Sequence, residues 1–253
     1  MSYDFSSIWV IGASSGIGKA VAQKFAADGI KVAVSARSED KLKALQEQYP
    51  DQISVWPLDV LDEAGLVDTA EKIDAHFGGL GAMMYCAAAW DPTKEQDVDP
   101  ARFQKNIDVN IMGAVRTLAA IGPKMEARGK GRLAIISSVA GYRGLPNAAE
   151  YGTTKAALIH LCESLKFKYD RSGVVMQVIT PGFVETPLTD KNDFPMPFII
   201  SPEKAAEYIC NGMRGRHFEI TFPKRFTYQL KFLRMLPHWL YFGLISKATK
   251  NNA

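Results

Sequence analysis

The sequence predicts an α/β protein with a doubly wound, seven-stranded parallel sheet and helices on both of its faces. Three observations predict this class. Short strand-like runs alternate along the chain with helical patterns of about 10 to 25 residues, which is typical of βαβ crossovers. The strand-like runs are apolar nearly throughout, as expected for strands that are covered on both faces. The 253 residues, 47% of them hydrophobic, contain no internal repeat or low-complexity tract, which excludes fibrous and disordered classes.

The first half of the chain contains four predicted strands and three predicted helices. The first strand is a short apolar run that ends in Gly12, and the helix that follows has one apolar face and ends at Gly29. The second helix opens with Ser38 as an N-cap and with acids in its first turn. The third strand is predicted despite Pro57 near its end. The strands span residues 8–12, 31–35, 53–58 and 82–86, and the helices span 16–28, 38–49 and 62–76.

The second half continues the alternation with three more strands and three more helices. The fifth helix is predicted to end at the turn Ser172–Gly173, and an apolar β-branched run follows it at once. The strands span residues 132–137, 174–179 and 217–221, and the helices span 100–127, 150–171 and 202–213.

The chain is predicted to form one domain, residues 1–222, with an appended tail, residues 223–253, because no Pro/Gly/Ser-rich linker divides it. The tail contains no acid. Its six cations, subtracted from the total net charge of +3, leave a net charge of −3 on the domain. These cations are Lys224, Arg225, Lys231, Arg234, Lys247 and Lys250.

Composition also excludes several classes of function. A net charge of +3 is too small to indicate nucleic-acid binding. Three widely spaced cysteines without a CxxC pair predict neither a disulfide framework nor a metal site. The N-terminus lacks the basic region of a signal peptide, and no run of about 18 apolar residues predicts a membrane span. We therefore expect a cytoplasmic protein.

A glycine-rich turn follows the first predicted strand and opens the first predicted helix. Glycines let the backbone turn tightly and approach a diphosphate, while the first N–H groups of the helix face the anion. A plain βα turn is the alternative, but the position in the first βα unit favours a dinucleotide site. The residues expected to hold the diphosphate are Gly12, Ser14, Ser15, Gly16, Ile17 and Gly18.

The end of the second strand indicates which dinucleotide binds. An Asp or Glu about 20 residues past the turn would bind the ribose 2′-hydroxyl of NAD. Ala36 stands there instead, with Arg37 beside it. A guanidinium pairs well with a 2′-phosphate, so we predict NADP(H). A surface arginine at the start of a loop is the alternative.

Three polar residues predict carbonyl chemistry. Ser138 ends a strand, and Tyr151 and Lys155 follow on one face of a helix, about 5–6 Å apart at Cβ. Hydride transfer to a carbonyl leaves an oxyanion that needs a proton. A phenol with an ordinary pKa of about 10 can act as acid or base near neutral pH if a neighbouring ammonium, helped by the charge of the oxidised nicotinamide, lowers that pKa. We expect Tyr151 in this role, with Ser138 binding the substrate oxygen.

Together with the glycine turn and the order of the strands, these residues resemble the short-chain dehydrogenase/reductase family over about residues 6–222. The resemblance implies a Rossmann fold and a homodimer or homotetramer formed through the helices at about 100–127 and 150–171. It also implies that Asn110 is a fourth catalytic residue, which holds a water beside Lys155. An asparagine that satisfies a distorted helix is the alternative, and both can hold.

The resemblance further implies cofactor contacts outside the glycine turn. Asp59 and Val60 would meet the adenine, unless Asp59 caps the following helix, and Ala87 would meet the ribose. The loop after the sixth strand would meet the nicotinamide and diphosphate through Pro181, Gly182, Val184 and Thr186. The sequence departs from the family in two places. Ile11 replaces the usual Thr, and Tyr85-Cys86-Ala87-Ala88 replaces Asn-Asn-Ala-Gly.

The substrate side is less defined. Residues 187–200 lie where the family has a substrate lid, and their apolar composition suggests a substrate with apolar bulk, unless Phe194, Phe198 and Ile199 pack on the core or a partner. Other residues considered for the wall are Trp90, Tyr142, Leu145 and Pro146, with Arg143 considered as a charge partner. The amphipathic tail has three alternatives: packing on the protein or its oligomer, covering the cleft, or peripheral membrane contact through residues 224–250.

We interpret the sequence as an NADP(H)-dependent oxidoreductase that reduces the ketone or aldehyde of a partly apolar or lipid-like small molecule, reversibly as an alcohol dehydrogenase. A catalytically silent NADP-binding sensor or scaffold is the alternative, and it predicts damaged catalytic residues. Sugar epimerase chemistry uses the same Tyr-x-x-x-Lys pattern, but 253 residues leave little room for the larger substrate domain it usually needs.

Overall fold

A computed structural model describes residues 2–90, 98–192 and 194–250 of the protein. Within these ranges, seven strands form one sheet of entirely parallel neighbours. The strands are β1 (Ser7–Ile11), β2 (Lys31–Ser35), β3 (Ile53–Val55), β4 (Ala82–Tyr85), β5 (Gly131–Ile136), β6 (Val174–Pro181) and β7 (Glu219–Phe222). The helices are α1 (Gly16–Ala27), α2 (Glu39–Gln48), α3 (Glu63–His76), α4 (Pro100–Asn106), α5 (Gly113–Ala127), α6 (Ala149–Arg171), α7 (Pro202–Gly212), α8 (Lys224–Met235) and α9 (His238–Lys250).

The strand order is β3-β2-β1-β4-β5-β6-β7, which confirms the predicted doubly wound fold. The chain moves outward from β1 to β3 and then returns to place β4 on the other side of β1. The order of the strands reverses between β1 and β4, and such a reversal opens a crevice at the carboxyl ends of the two strands. This crevice is where the glycine-rich turn lies.

Both faces of the sheet are covered, as predicted. Ile8 and Val10 of β1 belong to one core cluster, while Trp9 and Ile11 belong to the other, so successive side chains of one strand are buried on opposite faces. Helices α1, α2 and α7 contribute to the first cluster, and helices α3, α5 and α6 contribute to the second.

The third strand is shorter than predicted. β3 ends at Val55 rather than at residue 58. The backbone N–H groups of Trp56 and Leu58 still donate to carbonyls at the end of β2, but Pro57 between them has no N–H to continue the ladder. The last strand also differs by one to two residues, because β7 covers Glu219–Phe222.

The long helix predicted over residues 100–127 is divided. A π-helical segment, Ile107–Met112, separates α4 from α5. The Tyr85 hydroxyl donates a hydrogen bond of 2.5 Å to the Val109 carbonyl inside this segment. A Cβ on Gly113 would lie 2.0 Å from the Tyr85 hydroxyl oxygen, so the helix passes closely over the end of β4. Asn110 lies in this π segment and is fully buried.

The tail lies on the body of the protein. Phe226 and Leu230 of α8 pack against the second core cluster. The Tyr241 hydroxyl of α9 donates a 2.7 Å hydrogen bond to the Gly144 carbonyl, and only 2% of Tyr241 is exposed. Lys231 forms an ion pair with Glu219 of β7. The inward side of the tail therefore packs on the protein itself, which is one of the three alternatives stated above. The division into a domain and a tail stays a prediction.

No helix among the residues described here is long and apolar enough to traverse a bilayer. The predicted lid and tail include Asp193 and residues 251–253, which lie outside the described residues.

Candidate active site

The predicted site residues follow the carboxyl ends of neighbouring strands, where parallel strands bring their following loops to the same edge of the sheet. Residues 12–18 follow β1, Arg37 follows β2, and Asp59 and Val60 lie beyond β3. Ala87 follows β4, Ser138 follows β5, and the segment from Pro181 to Thr186 ends β6 and continues beyond it. Tyr151 and Lys155 lie in the first two turns of α6.

The glycine turn has the conformation that a backbone cradle requires. Gly12 has a φ of +87°, and a Cβ there would lie 2.6 Å from the Ala87 nitrogen. A Cβ on Gly18 would lie 2.2 Å from the Gly12 carbonyl oxygen. Any side chain at these positions would therefore collide with backbone, so glycine is needed to bring β1, α1 and the end of β4 together.

The N-terminus of α1 is open toward the crevice. Ser15 is the N-cap, but its side chain makes no capping hydrogen bond, and Ser14 and Ile17 are half-buried beside it. Gly16 has a φ of +52°, and a Cβ there would lie 2.9 Å from Thr186 Cγ2. Thr186 therefore lies against the glycine turn, as the sequence predicts. Free N–H groups and the positive end of the helix dipole make this cradle suitable for a diphosphate.

The residues expected near the adenosine differ in their surroundings. Arg37 is exposed at the end of β2. The Asp59 carboxylate accepts a hydrogen bond of 3.0 Å from the Leu61 N–H, while Asp62 caps α3 by accepting from the Gly65 N–H. Asp59 therefore stabilises its own turn and does not cap α3. Val60 is buried and lies against Gly113.

Ser138, Tyr151 and Lys155 meet at the end of β5. The Ser138 hydroxyl lies close enough to the Tyr151 phenol to act on its pKa, and it accepts a 3.1 Å hydrogen bond from the Ala140 N–H. The Lys155 Nζ lies 5.3 Å from the centre of the Tyr151 ring and donates a 3.0 Å hydrogen bond to the Ile136 carbonyl. The predicted shared helical face is therefore present, and all three polar groups lie on one side of it.

Burial is the largest cause of the pKa shifts of Tyr151 and Lys155. Burial raises the pKa of Tyr151 to about 12, although the Ser138 hydroxyl acts in the opposite direction. Burial lowers the pKa of Lys155 to about 8, against a small opposing effect of the Cys86 thiol. In the protein alone, loss of solvation thus holds the pKa of the phenol above its ordinary value. The expected lowering of this pKa by the ammonium together with the charge of an oxidised nicotinamide stays a prediction.

Asn110 connects the π segment to the site. Its side-chain oxygen accepts a 2.7 Å hydrogen bond from the Ala89 N–H, and its Nδ2 donates to the Ala89 carbonyl at 3.1 Å and to the Thr154 hydroxyl at 2.9 Å. Asn110 thus holds the segment after β4 against α6, one residue from Lys155. These contacts are to the segment after β4 and to α6 rather than to a carbonyl of the π segment. The role of Asn110 in satisfying the distorted helix and its role as a holder of water both stay predictions.

The segment after β4 joins the two halves of the site. Its backbone at Cys86 and Ala87 lies against Gly12, and the Cys86 thiol interacts electrostatically with Lys155. The Trp90 ring lies 5.2 Å from the Tyr151 ring. The glycine turn and the Ser138–Tyr151–Lys155 group therefore border the same crevice.

Sequence reasoning missed two residues that fix α6 against β5. The Ser137 hydroxyl donates a 2.7 Å hydrogen bond to the Lys155 carbonyl. Gly141 lies so close to α6 that a Cβ would be 2.6 Å from the Lys155 carbonyl carbon. Neither contact has a local signal in the sequence, because each joins segments that are distant along the chain.

The loop after β6, the predicted lid and α8 contact one another through aromatic side chains. Phe226 of α8 lies 5.7 Å from Phe183 and 5.8 Å from Phe198 between ring centres, and Phe183 lies 6.0 Å from Phe194. The Trp90 Nε1 donates a 3.3 Å hydrogen bond to Asn192 of the predicted lid. The lid is therefore in contact with the tail and with the segment after β4.

Two of the residues considered for the substrate wall have other roles. Tyr142 is buried, and its hydroxyl lies within hydrogen-bond distance of Thr180 and Glu219. Arg143 donates to carbonyls at the C-terminal end of α8, and its guanidinium lies 4.0 Å from the centre of the Tyr241 ring. The Lys231 Nζ of α8 also lies 5.6 Å from the centre of the Tyr142 ring, so both residues belong to the contact between the body and the tail.

In the part of the chain that the structure describes, no three His, Cys, Asp or Glu side chains lie close enough together to hold a metal ion.

Comparisons with known proteins agree with this geometry. A family model for short chain dehydrogenase matches residues 6–195. An uncharacterized oxidoreductase of Myxococcus xanthus is 34% identical over 235 residues, which cover 92% of this chain and 93% of that protein. An uncharacterized oxidoreductase of Staphylococcus haemolyticus is 32% identical over 205 residues, which cover 81% of this chain and 89% of that protein.

Solved structures show the same fold. A short-chain dehydrogenase from Streptomyces avermitilis aligns with a TM-score of 0.82 at 21% identity, over 98% of this chain and 99% of that chain. ElxO, solved with NADP bound, aligns with a TM-score of 0.77 at 24% identity, over 86% of this chain and 97% of that chain. A variant of actinorhodin polyketide ketoreductase with NADPH aligns with a TM-score of 0.77 at 20% identity, over 87% and 97% of the two chains.

Proposed function

Because the chain belongs to the short-chain dehydrogenase family, a family of oxidoreductases, we propose that it uses NADPH to reduce the carbonyl group of a partly apolar small molecule. The same residues support the reverse reaction, oxidation of the corresponding alcohol. The observation that carries the proposal is the grouping of Ser138, Tyr151 and Lys155 at the crevice that the glycine turn borders.

The residues of the crevice fit a dinucleotide. The close approach of Gly12 to the backbone of Ala87 leaves a cradle that a side chain would fill, and the first turn of α1 offers unpaired N–H groups to a diphosphate. When bound, NADPH supplies the hydride that adds to the carbonyl carbon.

The preference for NADP(H) over NAD(H) is supported by the end of β2. Ala36 offers no carboxylate to a ribose 2′-hydroxyl, and the exposed guanidinium of Arg37 is suited to a 2′-phosphate. ElxO and the actinorhodin ketoreductase variant, which share the fold, were solved with NADP and NADPH respectively.

Each residue of the catalytic group has a distinct task in the proposal. Tyr151, with its raised pKa, is protonated near neutral pH and can donate its proton to the oxygen of the reduced carbonyl. Ser138 lies beside that phenol and can donate a hydrogen bond to the same substrate oxygen. Lys155 is held by the Ile136 carbonyl beside the ring, where its positive charge can stabilise the phenolate that forms when Tyr151 gives up its proton.

The substrate class follows from the aromatic residues beside this group. Trp90 lies next to Tyr151, and Phe183, Phe194 and Phe198 follow along the loop and lid. Apolar walls with few polar groups favour a substrate with an apolar body, such as a lipid-like ketone or aldehyde.

The test has a binding part and a turnover part. Titration of the intact protein should give tighter binding of NADPH than of NADH. Arg37→Ala should weaken NADPH binding about 10- to 100-fold, the value of a charge-assisted hydrogen bond, and leave NADH binding unchanged. Lys41→Ala, an exposed cation of α2, is the matched control.

Turnover is then measured as oxidation of NADPH with a panel of ketones and aldehydes of increasing apolar size. The proposal expects higher kcat/KM for the larger apolar members. Equal binding of the two cofactors would contradict the assignment of NADP(H), and a preference for small polar carbonyls would contradict the substrate class.

A further inference from the structure

The helices of the tail are apolar on two sides. Their inward side is anchored, since Thr227 and Tyr241 are buried and Phe226 packs against Phe183. A surface helix ordinarily has one apolar stripe and a polar opposite face. In α8 and α9 the opposite face is also rich in large apolar side chains, and the body of the protein does not cover it.

We call this second side the outer tail face. Its apolar members are strongly exposed, with 75% of Met235 and 77% of Trp239 accessible to solvent. The set is Tyr228, Phe232, Met235, Trp239 and Phe242; Leu244 of α9 is also exposed, but it lies three residues from the buried Tyr241. Of the thirteen exposed large hydrophobic residues in the described chain, six therefore lie within a stretch of 17 residues. Such a concentration is typical of a surface that contacts a partner or a membrane.

Helical spacing places these residues together. Tyr228, Phe232 and Met235 are separated by four and three residues along α8, so they lie on one face of that helix. Trp239 and Phe242 are three residues apart in the first turn and a half of α9. Only Leu236 and Pro237 separate the two helices, so the two groups are neighbours along the chain.

The charge around the outer tail face indicates what kind of partner it fits. Lys224, Arg225, Arg234 and Lys247 are exposed on the same two helices, whereas Lys231 is paired inward with Glu219. Residues 224–250 contain no Asp or Glu. The surface is therefore complementary to an extended negative charge, and exposed aromatic residues flanked by Lys and Arg match the interface of an anionic bilayer.

A second copy of the chain is less suited to this surface. In a two-fold symmetric contact the same patch meets itself, so the cations of the two tails would face each other without acids to compensate.

The surface is also held in a fixed orientation. Arg143 binds the carbonyls at the end of α8, and Tyr241 binds the Gly144 carbonyl. The helices therefore need not fold on contact with a partner, which avoids the entropy cost that a disordered segment would bear.

From these observations we propose that the outer tail face docks the protein on anionic lipid bilayers as a peripheral protein, with Phe232, Trp239 and Phe242 inserted at the headgroup level. This inference stands apart from the proposed reaction, because the catalytic group takes no part in it.

The test is flotation of the full-length protein with vesicles of phosphatidylcholine alone or mixed in equal amounts with phosphatidylglycerol. We expect binding to the mixed vesicles, weak binding to the neutral ones, and loss of binding at high salt. The variant Phe232→Ser/Trp239→Ser/Phe242→Ser should bind the mixed vesicles at least about tenfold more weakly. Arg225→Glu/Arg234→Glu/Lys247→Glu should lose roughly fivefold or more for each charge.

Matched controls come from exposed residues elsewhere. Phe167→Ser removes an aromatic residue that is 72% exposed on α6, and Lys105→Glu reverses an exposed cation of α4; both should bind like the parent. Circular dichroism and the thermal midpoint confirm that each variant is folded.

Three outcomes would overturn the proposal: equal binding to neutral and anionic vesicles, no binding to either, or binding that survives both triple variants. Sedimentation of the parent and the aromatic triple variant without lipid gives a further check. A dimer that becomes a monomer in that variant would assign the outer tail face to a second copy instead.

Discussion

At the residue scale, burial sets the protonation of the site more strongly than the neighbouring charges do. Tyr151, Lys155 and Ser138 could be found from the sequence because their spacing on a strand end and a helix face is local. The direction in which the pKa of Tyr151 is shifted could not be predicted from this local spacing. This direction depends on how deeply the phenol is buried. The residues that bury it, such as Trp90, come from segments that are distant along the chain.

The lowered pKa of Lys155 predicts a pH-dependent stability. The pKa falls from 10.5 in the unfolded chain to about 8 in the folded protein, so the unfolded state binds the proton more tightly. The full cost of burying the protonated Lys155 is therefore present below about pH 8. The free energy of unfolding rises as pH increases toward 10.5, above which Lys155 is neutral in both states. We expect the unfolding free energy of the parent to gain roughly 2 kcal/mol between about pH 7.5 and about pH 10, relative to Lys155→Met.

Urea denaturation of both proteins at the two pH values measures this difference. Lys105→Met, at an exposed lysine of α4, controls for loss of one cation. Parallel pH dependences of the parent and Lys155→Met would show that Lys155 does not bear the cost of burial.

At the scale of elements, the alternation of strands and helices predicted the sheet, its parallel pairing and the position of the glycine turn. Hydrophobic patterns report which faces are buried, and here nearly every strand is buried on both. The π segment was not predictable. Periodicity in residues 100–127 continues through it, whereas its cause is the contact of Tyr85 with the Val109 carbonyl from another part of the chain. The same holds for Ser137 and Gly141, which meet α6 through the fold.

The contact of Gly141 with α6 predicts the effect of a single methyl group. Gly141→Ala would place its Cβ 2.6 Å from the Lys155 carbonyl carbon, and the backbone there cannot move without shifting α6. We expect a loss of about 1–3 kcal/mol in unfolding free energy and a lower kcat, because Tyr151 and Lys155 move with the helix. Gly144→Ala is the matched control, since nothing lies within 4 Å of its added Cβ. Equal urea midpoints for the two variants would contradict this packing.

At the scale of the whole molecule, the body carries the crevice, and the basic tail packs Phe226 against Phe183 and Phe198 of the body. The sequence indicated an amphipathic tail but left its partner open, because an apolar stripe does not identify what covers it. The structure shows that the inward stripe packs on the body through Phe226, Leu230 and Tyr241. The homodimer or homotetramer expected from the family resemblance stays a prediction.

The proposal for the whole protein depends on Tyr151 as the proton donor in a cofactor-bound crevice. Tyr151→Phe keeps the ring beside Trp90 and removes only the hydroxyl that Ser138 contacts. Titration with NADPH should therefore give a Kd close to that of the parent. Loss of the proton donor should lower kcat about 10²- to 10⁴-fold on a carbonyl that the parent reduces.

The most direct measurement is thus the rate of NADPH oxidation by the parent and by Tyr151→Phe, at saturating NADPH and with the best carbonyl of the panel. The account predicts turnover in the parent and its near-complete loss in the variant, with NADPH binding retained. Turnover in the variant equal to that of the parent, or a parent that binds NADPH but reduces no carbonyl, would contradict it.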